Sequence, residues 1–209
     1  MNEITYTTKA RYFTHGDLNK ASHLLFVLHG YGQLAQFFIR KFDHIDPNKY
    51  YIVAPEGPHR FYQKGSAGRV GASWMTKENR EQDIENYISY LTAIYNHITA
   101  EKEFNSKRLL GFSQGGATAS RWHGSGKVEF DEFILWAAVF PPDMPLNYQK
   151  SFSQSKNNFV FGNNDDFYSL DKAKEHLAEI KSLGLIFDFH NFEGNHDIHK
   201  ETVSKLLND

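Results

Sequence analysis

The chain has 209 residues, enough for one domain with a sizeable core, and its 40% hydrophobic and 15% aromatic content allows folding without cross-links. It contains no cysteine, which excludes a disulfide framework, a thiol nucleophile and thiolate metal sites. A formal net charge of −2 with no long single-sign run argues against nucleic acid or an anionic membrane as the main partner.

The first residues, Met1-Asn2-Glu3-Ile4-Thr5-Tyr6, show no basic region followed by an apolar stretch, so no signal peptide is expected. No apolar run approaches the roughly 20 residues that span a bilayer. The expectation is a cytoplasmic protein without a stable membrane anchor.

Residues 4–13 carry β-branched and aromatic side chains and predict one or two edge strands within a 1–20 edge-strand region. Residues 23–28, His-Leu-Leu-Phe-Val-Leu, read as a strand buried on both faces, ending at the Gly-rich turn His29-Gly30-Tyr31-Gly32. Helical spacing follows at Leu34, Phe37, Phe38 and Phe42. Residues 50–54 predict a second buried strand, stopped by Pro55, and residues 56–74 a long polar loop rich in Gly and aromatics. From 77 to 99 the pattern is helical, with Ile84, Ile88, Leu91, Tyr95 and Ile98 on one stripe. A short strand through Lys107-Arg108-Leu109-Leu110 leads into a helix that ends near Gly126. Residues 133–140 and 158–162 predict further strands, 172–183 an amphipathic helix capped by Gly184, 185–189 a last strand and 198–207 a last helix.

Strands alternating with helices predict an α/β fold: a single domain over 1–209 whose mostly parallel central sheet carries helices on both faces. Function in such a fold lies at the carboxyl ends of the strands. There, Gly111-Phe112-Ser113-Gln114-Gly115 forms a Gly-x-Ser-x-Gly pattern between strand and helix, the nucleophile elbow of α/β hydrolases. Glycines flank the serine because the strained turn excludes larger neighbours. A serine that only capped the helix would need no partners, whereas partners for Ser113 occur downstream. A serine hydroxyl needs a base near neutral pH, and the base needs a carboxylate to orient it. In chain order the acid comes next and the histidine last.

Asp165 and Asp166 follow the strand ending at Gly162, and Asp165 is preferred because it lies in a Gly-x-x-Asp turn leaving that strand. His196 is preferred over His199, because Gly194-Asn195-His196 is a turn directly after a strand whereas His199 falls at the final helix. The Tyr31 and Gln114 backbone N–H groups are candidate oxyanion donors. His29 comes too early in the chain for the base and reads as a packed structural histidine. Trp74 reads either as a wall of the cleft or as a core residue; Phe61, Tyr62 and Tyr168 are weaker pocket candidates. No metal-ligand spacing and no phosphate-binding loop occur, so no cofactor and no metal are expected.

These residues together resemble the phospholipase/carboxylesterase family of small α/β hydrolases, which includes the acyl-protein thioesterases. The matching pieces are Leu28-His29-Gly30-Tyr31-Gly32, Ala54-Pro55-Glu56-Gly57-Pro58, Ser73-Trp74, Gly111-Phe112-Ser113-Gln114-Gly115-Gly116, Gly162-x-x-Asp165 and Gly194-x-His196. The resemblance runs from about residue 23 to the end of the chain. It implies ester or thioester hydrolysis with Ser113, Asp165 and His196 as triad, oxyanion amides from Tyr31 and Gln114, no cofactor and no large lid domain. The chain departs from the family at Gln33, at Asp166-Phe167-Tyr168 and through residues 141–158, all around the cleft. Those departures bear on substrate choice, and acyl-protein thioesterase activity is not carried over.

The resulting expectation is a serine hydrolase acting on small ester or thioester substrates of short to medium acyl length. Two other readings stay open: an α/β-hydrolase fold kept as a binding module without catalysis, and an amide or peptide hydrolase. The aromatic content suits either a filled core or a homodimer face.

Overall fold

The computed structural model describes residue 2 and residues 4–208. A seven-stranded sheet organises the fold. Its strands are β1 (Tyr12–His15), β2 (His23–Leu28), β3 (Tyr50–Pro55), β6 (Ser106–Phe112), β7 (Glu132–Trp136), β8 (Lys156–Gly162) and β9 (Asp188–Phe192), in the order β1-β3-β2-β6-β7-β8-β9. Only β1 is antiparallel to its neighbour; the pairs from β3 through β9 are parallel. The two remaining strands, β4 (His59–Lys64) and β5 (Ala67–Ser73), form a separate hairpin.

The alternation of each strand divides the core in two. Leu24, Phe26, Leu28, Phe133, Leu135, Phe159 and Phe161 face one layer, where they meet α2 (Arg80–Glu101), α3 (Gln114–Gly124), α4 (Gln149–Ser153) and α5 (Leu170–Ser182). Leu25, Val27, Ile134, Trp136 and Val160 face the other, against α1 (Ala35–Phe38), the 3₁₀ turn Ile39–Phe42 and α6 (Lys200–Asn208). Strands buried on both faces explain the unbroken apolar runs of β2 and β7. In α2 the buried positions Tyr87, Ile88, Leu91, Ile94, Tyr95 and Ile98 form the single stripe that the spacing predicts. Gly184, at φ +79°, ends the α5 region.

Across the sheet's floor, the half-buried Arg108 Nε lies 2.9 Å from the buried Glu132 Oε2, and Asn158 Nδ2 donates to Glu132 Oε1 at 2.7 Å. Arg108 also donates to Tyr50 Oη and to the Leu207 carbonyl, tying the end of α6 to the sheet. Among the described residues, no helix is long and apolar enough to cross a membrane.

Four differences from the sequence reading change the architecture. The edge strand is confined to Tyr12–His15, whose pairing with β3 ends at Tyr12 opposite Pro55; one further bond, from Glu56 N to Arg11 O at 3.1 Å, closes the ladder. Met1 and Glu3, part of the 1–20 edge-strand region, lie outside the described residues, as does Asp209. The stretch 56–74 is the β4–β5 hairpin instead of a loop. Its strands are largely exposed, so no apolar alternation marks them, and they turn through Gly65 at φ +54°. Strand β7 stops at Trp136 because Ala137, at φ +46°, turns the chain off the sheet. The last strand begins at Asp188, where pairing with Asn158 starts; Leu185 packs in the core below it.

Candidate active site

The carboxyl end of β6 carries the elbow. Ser113 sits at φ 54°, ψ −122°, a conformation that costs an L-residue about 1–3 kcal/mol and persists only where the surroundings hold it. They do: the Ser113 N–H donates to the Trp136 carbonyl on β7 at 3.0 Å, and the Ser113 carbonyl accepts from Gly116 N at 2.9 Å. The turn also needs close backbone approach. A Cβ on Gly115 would stand against the Leu28 carbonyl oxygen and 2.5 Å from that of His29, and one on Gly111 would stand 2.5 Å from the Gly115 oxygen. The Ser113 side chain makes no helix-capping hydrogen bond.

The hydroxyl meets an imidazole instead. His196 Nε2 lies 3.0 Å from Ser113 Oγ, and His196 Nδ1 lies 2.7 Å from Asp165 Oδ2. A carboxylate only accepts, so Nδ1 carries the proton and Nε2 is free to accept from the serine. The Asp165 side chain is fully buried, and its second oxygen accepts from the Phe167 and Tyr168 backbone N–H groups at 2.8 and 3.1 Å. Those bonds fix the carboxylate's orientation. The loops after β8 and β9 are joined directly: Asn163 N donates to Phe192 O at 2.9 Å and Asn164 N to Gly194 O at 3.0 Å. The rings of Phe112 and Phe167 flank His196 at 4.9 and 4.6 Å. The two rival residues stand outside this chain of bonds. Asp166 is exposed, and His199 bonds Thr202 Oγ1 at 2.9 Å while stacking on Phe192.

Tyr31 and Gln114 line the cleft beside the hydroxyl. In the turn after β2, Gly30 N donates to Gln33 Oε1 at 2.9 Å, Gln33 N to Gly30 O at 3.2 Å and Gly32 N to Ala72 O at 2.8 Å. The Tyr31 N–H is left without a protein partner among the described residues. Gln33, a departure from the family pattern, therefore braces this turn. Gln114 opens α3, so its N–H has no partner within the helix and lies at the positive end of the dipole. Its side chain is clamped to β5 and the segment beyond, with Oε1 accepting from Trp74 N at 3.1 Å and Nε2 donating to Ser73 Oγ at 3.0 Å and Met75 O at 3.1 Å.

His29 is fully buried. Its Nε2 accepts from Gly57 N at 2.9 Å and its Nδ1 bonds Gly30 O at 2.8 Å; burial pushes its pKa down to about 4, so it is a neutral structural residue. Trp74 is placed in the core and not at the cleft wall. It is wholly buried, and its indole N–H donates to the His29 carbonyl at 2.8 Å. Tyr168 does line the cleft, a space of about 450 Å³ around Ser113 and His196. Tyr31, 63% exposed, is also at the rim, stacked on Phe61 at 5.1 Å. Ala137, Val139, Phe161 and Phe167 line the cleft as well, and sequence reasoning assigned them no role. Only Phe167 carried a signal, its place inside the altered acid loop; Ala137, Val139 and Phe161 fell within predicted strands. Among the described residues, no group of three or more His, Asp or Glu side chains is arranged to hold a metal ion.

A strained serine on a strand-to-helix turn, hydrogen-bonded to a carboxylate-backed imidazole within a mostly parallel sheet, defines an α/β-hydrolase fold with a serine hydrolase's constellation. The family model described as serine hydrolase (FSH1) matches residues 19–203, and the chain belongs to that family. A search of curated proteins returns no match. Among solved structures, acyl-protein thioesterase 2 of Zea mays is 15% identical at a TM-score of 0.72, over 96% of this chain and 97% of that one. Esterase PE8 is 21% identical at 0.70, over 96% and 99%. A phospholipase/carboxylesterase from Dyadobacter fermentans DSM 18053 is 16% identical at 0.66, over 98% and 97%. At these identities the likeness is one of fold.

Proposed function

We propose that this hydrolase cleaves carboxylic esters or thioesters through a catalytic triad of Ser113, His196 and Asp165. The observation that carries the reading is the unbroken hydrogen-bond chain from Ser113 Oγ through both imidazole nitrogens to a buried carboxylate. His196 Nε2 takes the hydroxyl proton as Oγ attacks the carbonyl carbon. Asp165 holds the ring in the required tautomer and stabilises the imidazolium. The amides of Tyr31 and Gln114 receive the oxyanion, each worth about 3–4 kcal/mol in comparable acyl-transfer sites. His196 then protonates the departing alcohol or thiol. Water, deprotonated by the same nitrogen, clears the acyl-enzyme and regenerates the serine.

The open cleft of about 450 Å³ and the absence of a lid among the described residues favour acyl chains of short to medium length. Hydrolysis of p-nitrophenyl acetate through laurate by the wild type and by Ser113→Ala tests both statements. The expected result is activity that peaks at short or medium chains and disappears in the variant. Activity peaking at the longest chain would refute the acyl-length statement, and undiminished activity in Ser113→Ala would refute the nucleophile. A catalytically silent binding module is disfavoured by the intact hydrogen-bond chain, since a lost catalyst needs no strained serine.

A further inference from the structure

Beside the cleft lies a larger groove of about 800 Å³. The β4–β5 hairpin forms one wall, contributing Gln63, Arg69 and Val70, and α1 with its 3₁₀ extension forms the other. The hairpin is tied to the turn after β2: Gly32 N donates to Ala72 O at 2.8 Å, Ala72 N to Gln33 O at 3.1 Å and Gln63 Nε2 to Gly32 O at 2.6 Å. Gln33 lines both this groove and the cleft around Ser113, so the two spaces adjoin at the loop that carries the Tyr31 amide.

The groove's chemistry is one-sided. Arg40, Lys41, Arg69 and Lys200 line it, and no carboxylate among the described residues does. Lys41 is paired with Asp197 at 2.6 Å, and Arg40 lies over the Phe37 ring at 5.2 Å. The side chains of Arg69 and Lys200 have no ion-pair partner among the described residues. Phe37, 54% exposed, supplies an apolar floor. A chain of net charge −2 that gathers four cations into one concave space concentrates positive potential there, and such a space draws in anions.

We propose that this groove seats an anionic group of the substrate, so that the ester or thioester cleaved at Ser113 carries a carboxylate or phosphate beyond the reacting carbonyl. The inference rests on the esterase reading above. Arg69 and Lys200 bind the anion as specificity residues and take no part in the bond changes.

Two matched substrate pairs test this at low ionic strength: 4-nitrophenyl hydrogen glutarate against methyl 4-nitrophenyl glutarate, and butyryl-coenzyme A against S-butyryl pantetheine. The first pair places the charge on the acyl side, the second on the leaving group. In at least one pair the wild type should prefer the anionic member by kcat/KM. The Arg69→Glu, Lys200→Glu double variant should lose about tenfold of that preference, as exposed but convergent charges allow, while its rate on the neutral member stays unchanged. Added salt should erode the wild-type preference in the same pair. The pair that responds identifies the side of the scissile bond that carries the anion. No preference in the wild type for either anionic substrate, or a preference the double variant retains in full, overturns the proposal. Failure of the esterase reading looks different: the neutral esters would be cleaved equally well by Ser113→Ala.

Discussion

Replacing Gly115 with alanine tests whether the elbow's geometry, and not merely its residues, sets the rate. The new Cβ would meet the Leu28 and His29 carbonyl oxygens, the latter at 2.5 Å. Carbon and oxygen settle near about 3.5 Å, so roughly 1 Å must be recovered by moving backbone, since no flexible side chain can yield. The groups forced apart are the start of α3, which carries the Gln114 amide, and the end of β2, which leads into the Tyr31 amide. Overpacking of this kind costs about 1–3 kcal/mol, or roughly 2–12 °C in melting midpoint for a chain of this size. A misplacement of about 1 Å between reacting groups and their donors costs on the order of a hundredfold in kcat. Thermal melts by circular dichroism and p-nitrophenyl butyrate kinetics read both quantities. Gly126→Ala is the control: Gly126 has φ +68° with open space around it, so about 1 kcal/mol of strain and an unchanged kcat are expected. A Gly115→Ala variant with wild-type kcat would refute the argument that the two amides depend on this contact.

Asp165→Asn should reduce kcat by about 10³–10⁴ with little change in KM, because the imidazole loses the carboxylate that fixes its tautomer, whereas Asp166→Asn should leave steady-state kinetics intact. Equal losses in both would contradict the assignment of the acid. Burial pushes the pKa values of His29 and His123 down to about 4 from an ordinary 6.5, so between those pH values the unfolded chain binds more protons than the folded one. Their contribution to stability is therefore full above about pH 6.5 and lost as the pH falls toward 4. The melting midpoint should drop across that window, and less steeply in His123→Phe, which removes one of the two groups; an identical slope in the variant would count against this. Arg108→Met removes the guanidinium from the buried Glu132, which keeps its Asn158 donor, and takes away one of the two donors to the Leu207 carbonyl, the other being Tyr50 Oη, so chemical denaturation should show a loss of about 3–5 kcal/mol with kcat at 25 °C unchanged. A loss under 1 kcal/mol would mean the pair is not structurally important.

Much of the architecture was legible because burial on both faces writes itself as unbroken apolar runs. His23–Leu28 and the core of β8 could be read directly, and α2 declared its buried stripe through Ile88, Leu91, Tyr95 and Ile98. The β4–β5 hairpin was not legible. Its exposed strands carry no alternation, and the Gly65-Ser66 turn resembled loop composition. The end of β7 was hidden for a different reason: Ala137 adopts a positive φ imposed by neighbouring strands, which residue type does not reveal. Within the site, Ser113 was marked by its glycines, while Asp165 and His196 were inferred from chain order and loop position. The structure brings Asp165 and His196 together through loops joined across 31 positions of sequence. Trp74 shows the limit of such reading. An aromatic beside a cleft motif can serve wall or core, and only its indole bond to the His29 carbonyl decides for the core. The cationic groove was likewise invisible, since Arg69 and Lys200 are far apart in sequence and share a space only after folding.

The most direct test is to label the native protein with a fluorophosphonate probe and map the adduct by peptide mass spectrometry. A serine activated by His196 should be modified at Ser113 alone, with labelling abolished in Ser113→Ala and strongly slowed in Asp165→Asn. A native protein that resists the probe, or carries the adduct elsewhere, would contradict the proposed catalytic role of Ser113.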